Sequence, residues 1–309
     1  MDLRQLETFV HVAELGSFTR ASIVLQAAQP ALSKQIRRLE VELGQTLFNR
    51  HGRGIVLTEE GALLLEHARG IIEQVARARH ALGAIKDTPQ GKVVIATPAV
   101  TGKVMTSGII TTFRQRFPQA SLEIIEGKSR FITELLLSGR IDIAILYDPP
   151  ASPLLEITPL MSHELSLFSL AGKTLAPKGK PVQFRDLGKY PLILPGHPHS
   201  IRTLVETEAA KAGVQLNIVL EVDGASFILE LVQLGHGYTL LPDFSLKRSS
   251  FAKTLQLNEI VAPRLKRSLK VAVSTQRPVT RITRETVKLI RQYLGPGSEF
   301  GVRKTLKHL

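Results

Sequence analysis

The side chains between Gln29 and Arg38 have the types and spacing to read a nucleic-acid surface. At 100° per residue, Pro30, Ser33, Lys34, Arg37 and Arg38 share one helix face, and Leu32, Ile36 and Leu39 share the opposite one. A face of small polar and cationic groups suits a major groove. Ser33 can hold a phosphate, while Gln29, Lys34 and Arg37 can reach base edges. Thr19, near the start of the preceding helix, adds a further polar contact. Arg50 through Arg53 can lie along the backbone or enter the minor groove. A solvated basic surface is the competing reading of the same residues.

A second set of residues falls just after predicted strands, where open α/β sheets place their ligands. Thr97, Pro98 and Thr101 follow the first strand, Lys128 and Ser129 the second, and Tyr147 and Asp148 the third. Gly196 through Arg202 and Gly224 through Phe227 hold the equivalent places later in the chain. Ser129 and Ser200 each sit where a helix should begin, either as plain N-caps or as parts of anion sites. His197-Pro198-His199 offers two imidazoles but no further His, Cys or Asp nearby, so hydrogen bonding is favoured over a metal site. Gly102-Lys103 lacks the upstream glycine of a phosphate loop. There is no nucleophile elbow and no catalytic spacing of Asp, Glu and His. No cofactor is expected, and nothing argues for an enzyme.

These residues need elements to position them. Leu3, Leu6, Phe9, Val10 and Ala13 repeat at helical spacing, Gly16 ends that helix, and Ser17 caps the next, which runs to about Leu25. Pro30 opens a third helix and Gly44 closes it. Gly52-Arg53-Gly54 between two apolar runs reads as a hairpin. Thr58 then caps a long helix to about residue 87. Leu64, Ala68, Ile71, Val75, Ala78, Leu82 and Ile85 form a heptad seam on it, suited to pairing with a second helix or to packing on its own domain. Thr88-Pro89-Gln90-Gly91 breaks the helix. From residue 92, strands at 93–96, 122–125 and 141–146 alternate with helices near 103–116 and 130–138. The grammar repeats with strands at 191–194, 218–222 and 238–241 and helices at 200–212 and 225–234. Two α/β lobes with mostly parallel sheets follow.

Composition sets outer bounds. The 309 residues suit two or three domains, and the absence of Cys excludes disulfides, thiolate metal sites and thiol switches. No run is long and apolar enough for a membrane span, and no secretory signal opens the chain, so a cytoplasmic location is expected. The formal charge of +13 is unevenly placed: residues 1–58 carry +2, and residues 264–309 carry +10. Arg281, Arg284, Lys288 and Arg291 form a basic stripe on the last helix, either a solvated face or a surface for DNA or an acidic partner. The basic tail 295–309 reads as flexible.

The wording of the N-terminal 65 residues is specific. Leu3-Arg4-Gln5-Leu6-Glu7-Thr8-Phe9, Gly16-Ser17-Phe18-Thr19-Arg20-Ala21-Ser22, Gln29 through Glu40, Leu47-Phe48-Asn49-Arg50 and Leu57-Thr58-Glu59-Glu60-Gly61 together resemble the LysR-type transcriptional regulators. Glu126-Gly127-Lys128-Ser129 and Gly235 through Pro242 continue the likeness. Ile193-Leu194-Pro195-Gly196 with Ser200-Ile201-Arg202 is similar to the nitrogen-assimilation branch, which carries no effector assignment. The resemblance implies a winged helix-turn-helix at 1–58, a dimerising linker helix at 59–88, and a two-lobed effector domain at 89–294 like type 2 periplasmic binding proteins. Lobe I then covers about 92–161 and 267–294, and lobe II about 162–266. It also implies a homodimer assembling to a homotetramer on inverted-repeat double-stranded DNA, with cleft closure altering DNA bend and RNA polymerase access. The expected effector is small and anionic, held by Thr97, Pro98, Thr101, Lys128, Ser129, Tyr147, His199, Ser200, Arg202 and Phe227. Ala28 stands where the family has Ser or Thr, and Lys34 where Arg is common. Both departures bear on site preference. A solute-binding protein of the same two-lobed shape is the alternative, opposed by residues 1–58.

Overall fold

Helix α1 (Leu3–Leu15) begins in a reciprocal cap. Asp2 accepts a hydrogen bond from the Gln5 N–H, and Gln5 accepts one from the Asp2 N–H. Gly16 ends it in the left-handed conformation, φ 59°. Ser17 caps α2 (Phe18–Val24) by accepting from the Arg20 N–H. Helix α3 (Gln29–Leu43) carries Pro30 in its first turn and closes at Gly44, φ 65°, while Ala28 supplies no side-chain cap. Phe9, Val12, Ala21, Leu32, Ile36 and Leu39 form the shared core of the three helices. Strands β1 (Phe48–His51) and β2 (Gly54–Leu57) make an antiparallel hairpin in register Phe48↔Leu57. Glu40 of α3 accepts hydrogen bonds from the Leu47 and Phe48 N–H groups at 2.9 and 3.3 Å, which fixes the hairpin against that helix.

The computed structural model describes residues 1–51, 54–83, 89–99, 101–102, 108–172, 177, 179–247 and 250–296. Arg53, the end of the seam at Ile85 and the tail from 297 lie outside them, as do the side chains of Arg50 and Leu82.

Helix α4 (Glu59–Gly83) starts at Thr58, whose hydroxyl accepts from the Gly61 N–H at 2.9 Å. The seam does not serve a single purpose. Leu64 and Ala68 pack into the core of the helix-turn-helix domain, and Ala68 is fully buried there. Ile71 of the seam instead lies exposed at 38%, as does Leu63, which is outside the seam, at 64%.

The remaining elements build two lobes on one eight-stranded sheet, with a separate parallel pair in the second lobe. Strands β3 (Gly91–Thr97), β4 (Ala120–Glu126) and β5 (Ile143–Tyr147) pair in parallel, with α5 (Ile109–Arg116) and α6 (Ser129–Leu137) as crossovers. Two long strands, β6 (Leu155–Leu170) and β12 (Lys266–Ser274), pair antiparallel and run from one lobe into the other. Beyond them lie β7 (Val182–Gln183), β8 (Leu192–Leu194), α7 (Ser200–Ala212), β9 (Ile218–Glu221), α8 (Ala225–Gln233), β10 (Thr239–Pro242), the short α9 (Phe244–Lys247) and β11 (Leu255–Val261), while α10 (Arg281–Leu294) returns to pack on the first lobe. The order β4-β3-β5-β12-β6-β11-β7, with β10 also on β6, is therefore mixed rather than mostly parallel. Each lobe keeps its own core. One gathers Val93, Ile95, Phe113, Ile143 and Leu289, and the other Phe168, Leu192, Val205, Ile228 and Leu240.

Candidate functional site

The α3 face is free to meet a partner. Thr19, Gln29, Pro30, Lys34, Arg37 and Arg38 are exposed and Ser33 is half-buried, with Leu32, Ile36 and Leu39 buried behind them. Among the described residues Lys34, Arg37 and Arg38 have no hydrogen-bond or ion-pair partner. Unpaired cations on a helix anchored from behind by its core can meet phosphates and base edges without first breaking intramolecular contacts.

The second site forms where the lobes meet. Thr97 ends β3 and is buried, with Pro98 half-buried beside it, and Thr101 lies 3.1 Å from the Tyr147 hydroxyl. Ser129 opens α6 and accepts from the Tyr147 N–H at 3.5 Å. The caps fall one residue earlier than the serines: Lys128 precedes α6 without a capping bond, and His199 caps α7 by accepting from the Ile201 N–H at Nδ1. Burial lowers the His199 pKa to about 4, which keeps that acceptor neutral. Lys128 crosses to Asp223 of lobe II at 2.9 Å, an exposed bridge of small energetic weight. Arg202 is committed within lobe II to Glu206 and Glu221 at 2.5 and 2.9 Å. Phe227 is 55% exposed on α8.

The residue that joins these groups is one the strand-end rule misses. Arg267, the second residue of β12, is 2% exposed. It donates to Ser200 Oγ at 2.7 Å and from Nε to Asp148 at 3.3 Å, and its guanidinium lies 4.1 Å from the centre of the Tyr147 ring. Asp148 is left-handed, φ 45°, and is tied to β12 by accepting from the Ser268 N–H at 2.9 Å. Burial pulls the Arg267 pKa down, because the half-exposed Asp148 compensates its charge only in part. Its sequence signal was the C-terminal excess of cations, of which it is one.

His163 faces Arg267 across the β6–β12 pair and was also unmarked in the sequence. Its ring stands edge-on between Tyr147 and Phe244, and neither ring nitrogen has a partner among the described residues. Burial, with Arg267 nearby, lowers its pKa from 6.5 to about 3. The unfolded chain binds that proton below about pH 6.5 and the folded chain resists it. Stability is therefore full above 6.5 and falls as pH drops through the window, by about 2 kcal/mol at pH 5 from this residue. Urea denaturation of His163→Phe should lack that increment between pH 8 and pH 5. An unchanged pH slope would remove His163 as its source.

One helix connects this site to α4. Ser129 opens α6 beside Tyr147, and the turn after its C-terminus abuts α4. A Cβ on Gly70 would meet the Ser138 carbonyl oxygen at 2.2 Å, so only glycine permits that approach. Arg77, 8% exposed, donates to the Gly139 carbonyl at 2.7 Å and to Asp142 at 3.1 Å. Asp142 also accepts from the Val94 N–H at 2.9 Å.

Comparison with known proteins covers both domains. Residues 3–62 match the model of the bacterial regulatory helix-turn-helix proteins of the lysR family, and residues 86–295 match the LysR substrate binding domain. The chain is 32% identical over 241 residues to the HTH-type transcriptional regulator BbuR of Bordetella bronchiseptica, covering 78% of this chain and 74% of that one. It is 30% identical over 279 residues to the nitrogen assimilation regulatory protein nac of Klebsiella aerogenes, covering 89% and 90%. Full-length CbnR complexed with its target DNA superposes with a TM-score of 0.71 at 25% identity, over 94% of this chain and 99% of that one. A full-length OxyR variant from Pseudomonas aeruginosa gives 0.74 at 21% identity, over 100% and 99%.

Proposed function

The chain belongs to the LysR family of DNA-binding transcriptional regulators with an effector-binding domain, and on that premise we propose that its effector is a small carboxylate bound between the lobes at Arg267. The observation that carries this reading is the buried guanidinium. Among the described residues its Nη1 has no hydrogen-bond partner. A buried cation gains most from an anion that is itself desolvated on binding. Ser200 bonds Arg267 directly, Thr101 and Ser129 bond Tyr147 beside it, and Tyr147 supplies a ring face. Arg202 is set aside, because its own carboxylates occupy it.

Closure of the lobes on the anion moves α6, and α6 moves α4 through Gly70 and Arg77. The recognition surface is the exposed face of α3, with Lys34, Arg37 and Arg38 on duplex DNA. The exposed Leu63 and Ile71 stripe of α4 is the pairing surface for a second copy, and two such pairs make the tetramer on an inverted repeat. The site of action is cytoplasmic, and RNA polymerase is the downstream partner. Among the described residues no helix is long and apolar enough to cross a membrane.

The test is a thermal-shift screen of mono- and dicarboxylates on the full chain, followed by titration of the best hit. Arg267→Gln should weaken that hit by roughly 10- to 150-fold, the range for a hydrogen bond to a charged group, and leave basal DNA binding intact. Equal affinity in the variant, or hits confined to neutral or cationic compounds, contradicts the assignment.

A further inference from the structure

A cavity of about 460 Å³ lies where the helix-turn-helix domain, α4 and lobe I meet. None of the cleft residues lines it. Its walls come from α1, the C-terminal half of α4, strands β3 and β4, and the start of α10. Its volume falls within the range of small-molecule sites, which concentrate at domain interfaces. Val10, Ile72, Ala76, Ile125 and Ile282 give it an apolar wall.

The charged lining is five cations against three carboxylates. Four of the cations are matched: Arg69 by Glu14 at 2.7 Å, Lys92 by Glu123 at 2.7 Å, Arg140 by Glu66 at 3.0 Å and Arg77 by Asp142 at 3.1 Å. Arg281 has no ion-pair or hydrogen-bond partner among the described residues.

We propose that this cavity is a second ligand site, which takes a small amphipathic monoanion with its apolar body against Ile72, Ala76 and Ile282 and its carboxylate on Arg281. An apolar wall with one uncompensated cation selects that chemistry over a neutral compound, which leaves Arg281 unpaired, and over a polyanion, which meets the three carboxylates. A ligand there touches α1, α4 and lobe I together. It therefore stabilises the docked arrangement of the two domains by mass action.

Calorimetric titration of the full chain with benzoate and octanoate tests this, with benzamide as the neutral control. Either carboxylate should bind the Arg267→Gln variant as it binds the wild type. Arg281→Ala, a surface change that leaves the fold alone, should weaken it about tenfold or more. Ala76→Phe fills the apolar wall and should abolish binding, and benzamide should bind at least about tenfold more weakly. Failure of both carboxylates to bind overturns the proposal, as does equal affinity in Arg281→Ala and Ala76→Phe. Loss of binding in Arg267→Gln also overturns it, since the ligand is then in the cleft. So does absent binding combined with an Ala76→Phe change in sedimentation, which assigns the cavity to a second copy of the chain.

Discussion

Asp142→Ala is expected to destabilise the chain by about 3–5 kcal/mol, the range for removing one partner of a buried ion pair. Asp142 is 6% exposed and lies between two guanidinium groups. Arg77 pairs with it directly, and Arg277, half-covered by burial, also feels its charge. Desolvation pushes the Asp142 carboxyl up, opposed by the Val94 N–H and by Arg77. The pair therefore gives little net stabilisation over a well-packed apolar pair, but either half alone is costly. Arg77→Met with Asp142→Leu should recover most of the loss. Gly70→Val should undock α4 from Ser138 through a Cβ that has no room, with each domain still folded. Urea denaturation gives the energies, and amide exchange over 136–142 reports the undocking. If Asp142→Ala costs under about 1 kcal/mol, the pair is open in solution and α4 is not held to lobe I through it.

Lys34→Ala with Arg37→Ala is expected to reduce specific DNA binding by at least about 100-fold. A base contact contributes about 1–3 kcal/mol of discrimination and each phosphate contact adds about 0.9 to the salt slope. Arg37→Ala should lose affinity and selectivity together. Arg38→Ala should weaken all sequences alike and flatten the dependence on salt. Fluorescence anisotropy at two salt concentrations separates these cases. Equal losses on matched and unrelated DNA for Arg37→Ala would move it from base reading to backbone contact. Lys34 presents one charge where a guanidinium would grip a guanine through two bonds, so its share should be the smaller.

The helix-turn-helix was legible because its signals are local. Gly16, Ser17, Pro30 and Gly44 each act within one turn, and the 3.6-residue period of α3 separates Leu32, Ile36 and Leu39 from the cationic face without help from other elements. The long strands were not legible. Strand β6 pairs with β12 from Leu155↔Ser274 to Glu164↔Lys266, across more than a hundred residues, and nothing near either strand reports its partner. That omission hid the mixed sheet and the placing of Arg267. Reasoning from the carboxyl ends of strands finds loops beside a cleft and passes over a charged residue at the start of an antiparallel strand. Arg77 lies outside the seam on the long helix, and Asp142 falls inside a predicted strand, so neither stands out in the sequence. Only their meeting, 65 positions apart, makes them a joint. The seam itself divided, because Leu64 and Ala68 face the chain's own N-terminal core. The net charge of +13 carries no information about DNA reading, since residues 1–58 hold only +2 of it. Part of the C-terminal excess instead sits at the junctions, Arg267 between the lobes beside Ser200 and Arg281 at the wall of the cavity below the helix-turn-helix domain.

The most direct measurement sequences the DNA fragments recovered with the chain from cells, for the wild type and for Lys34→Ala with Arg37→Ala. The wild type should enrich fragments that share an inverted repeat, and the double variant, expressed and folded to the same extent, should lose that enrichment. Equal enrichment by both, or wild-type fragments with no common sequence, would contradict DNA reading by the exposed face of α3.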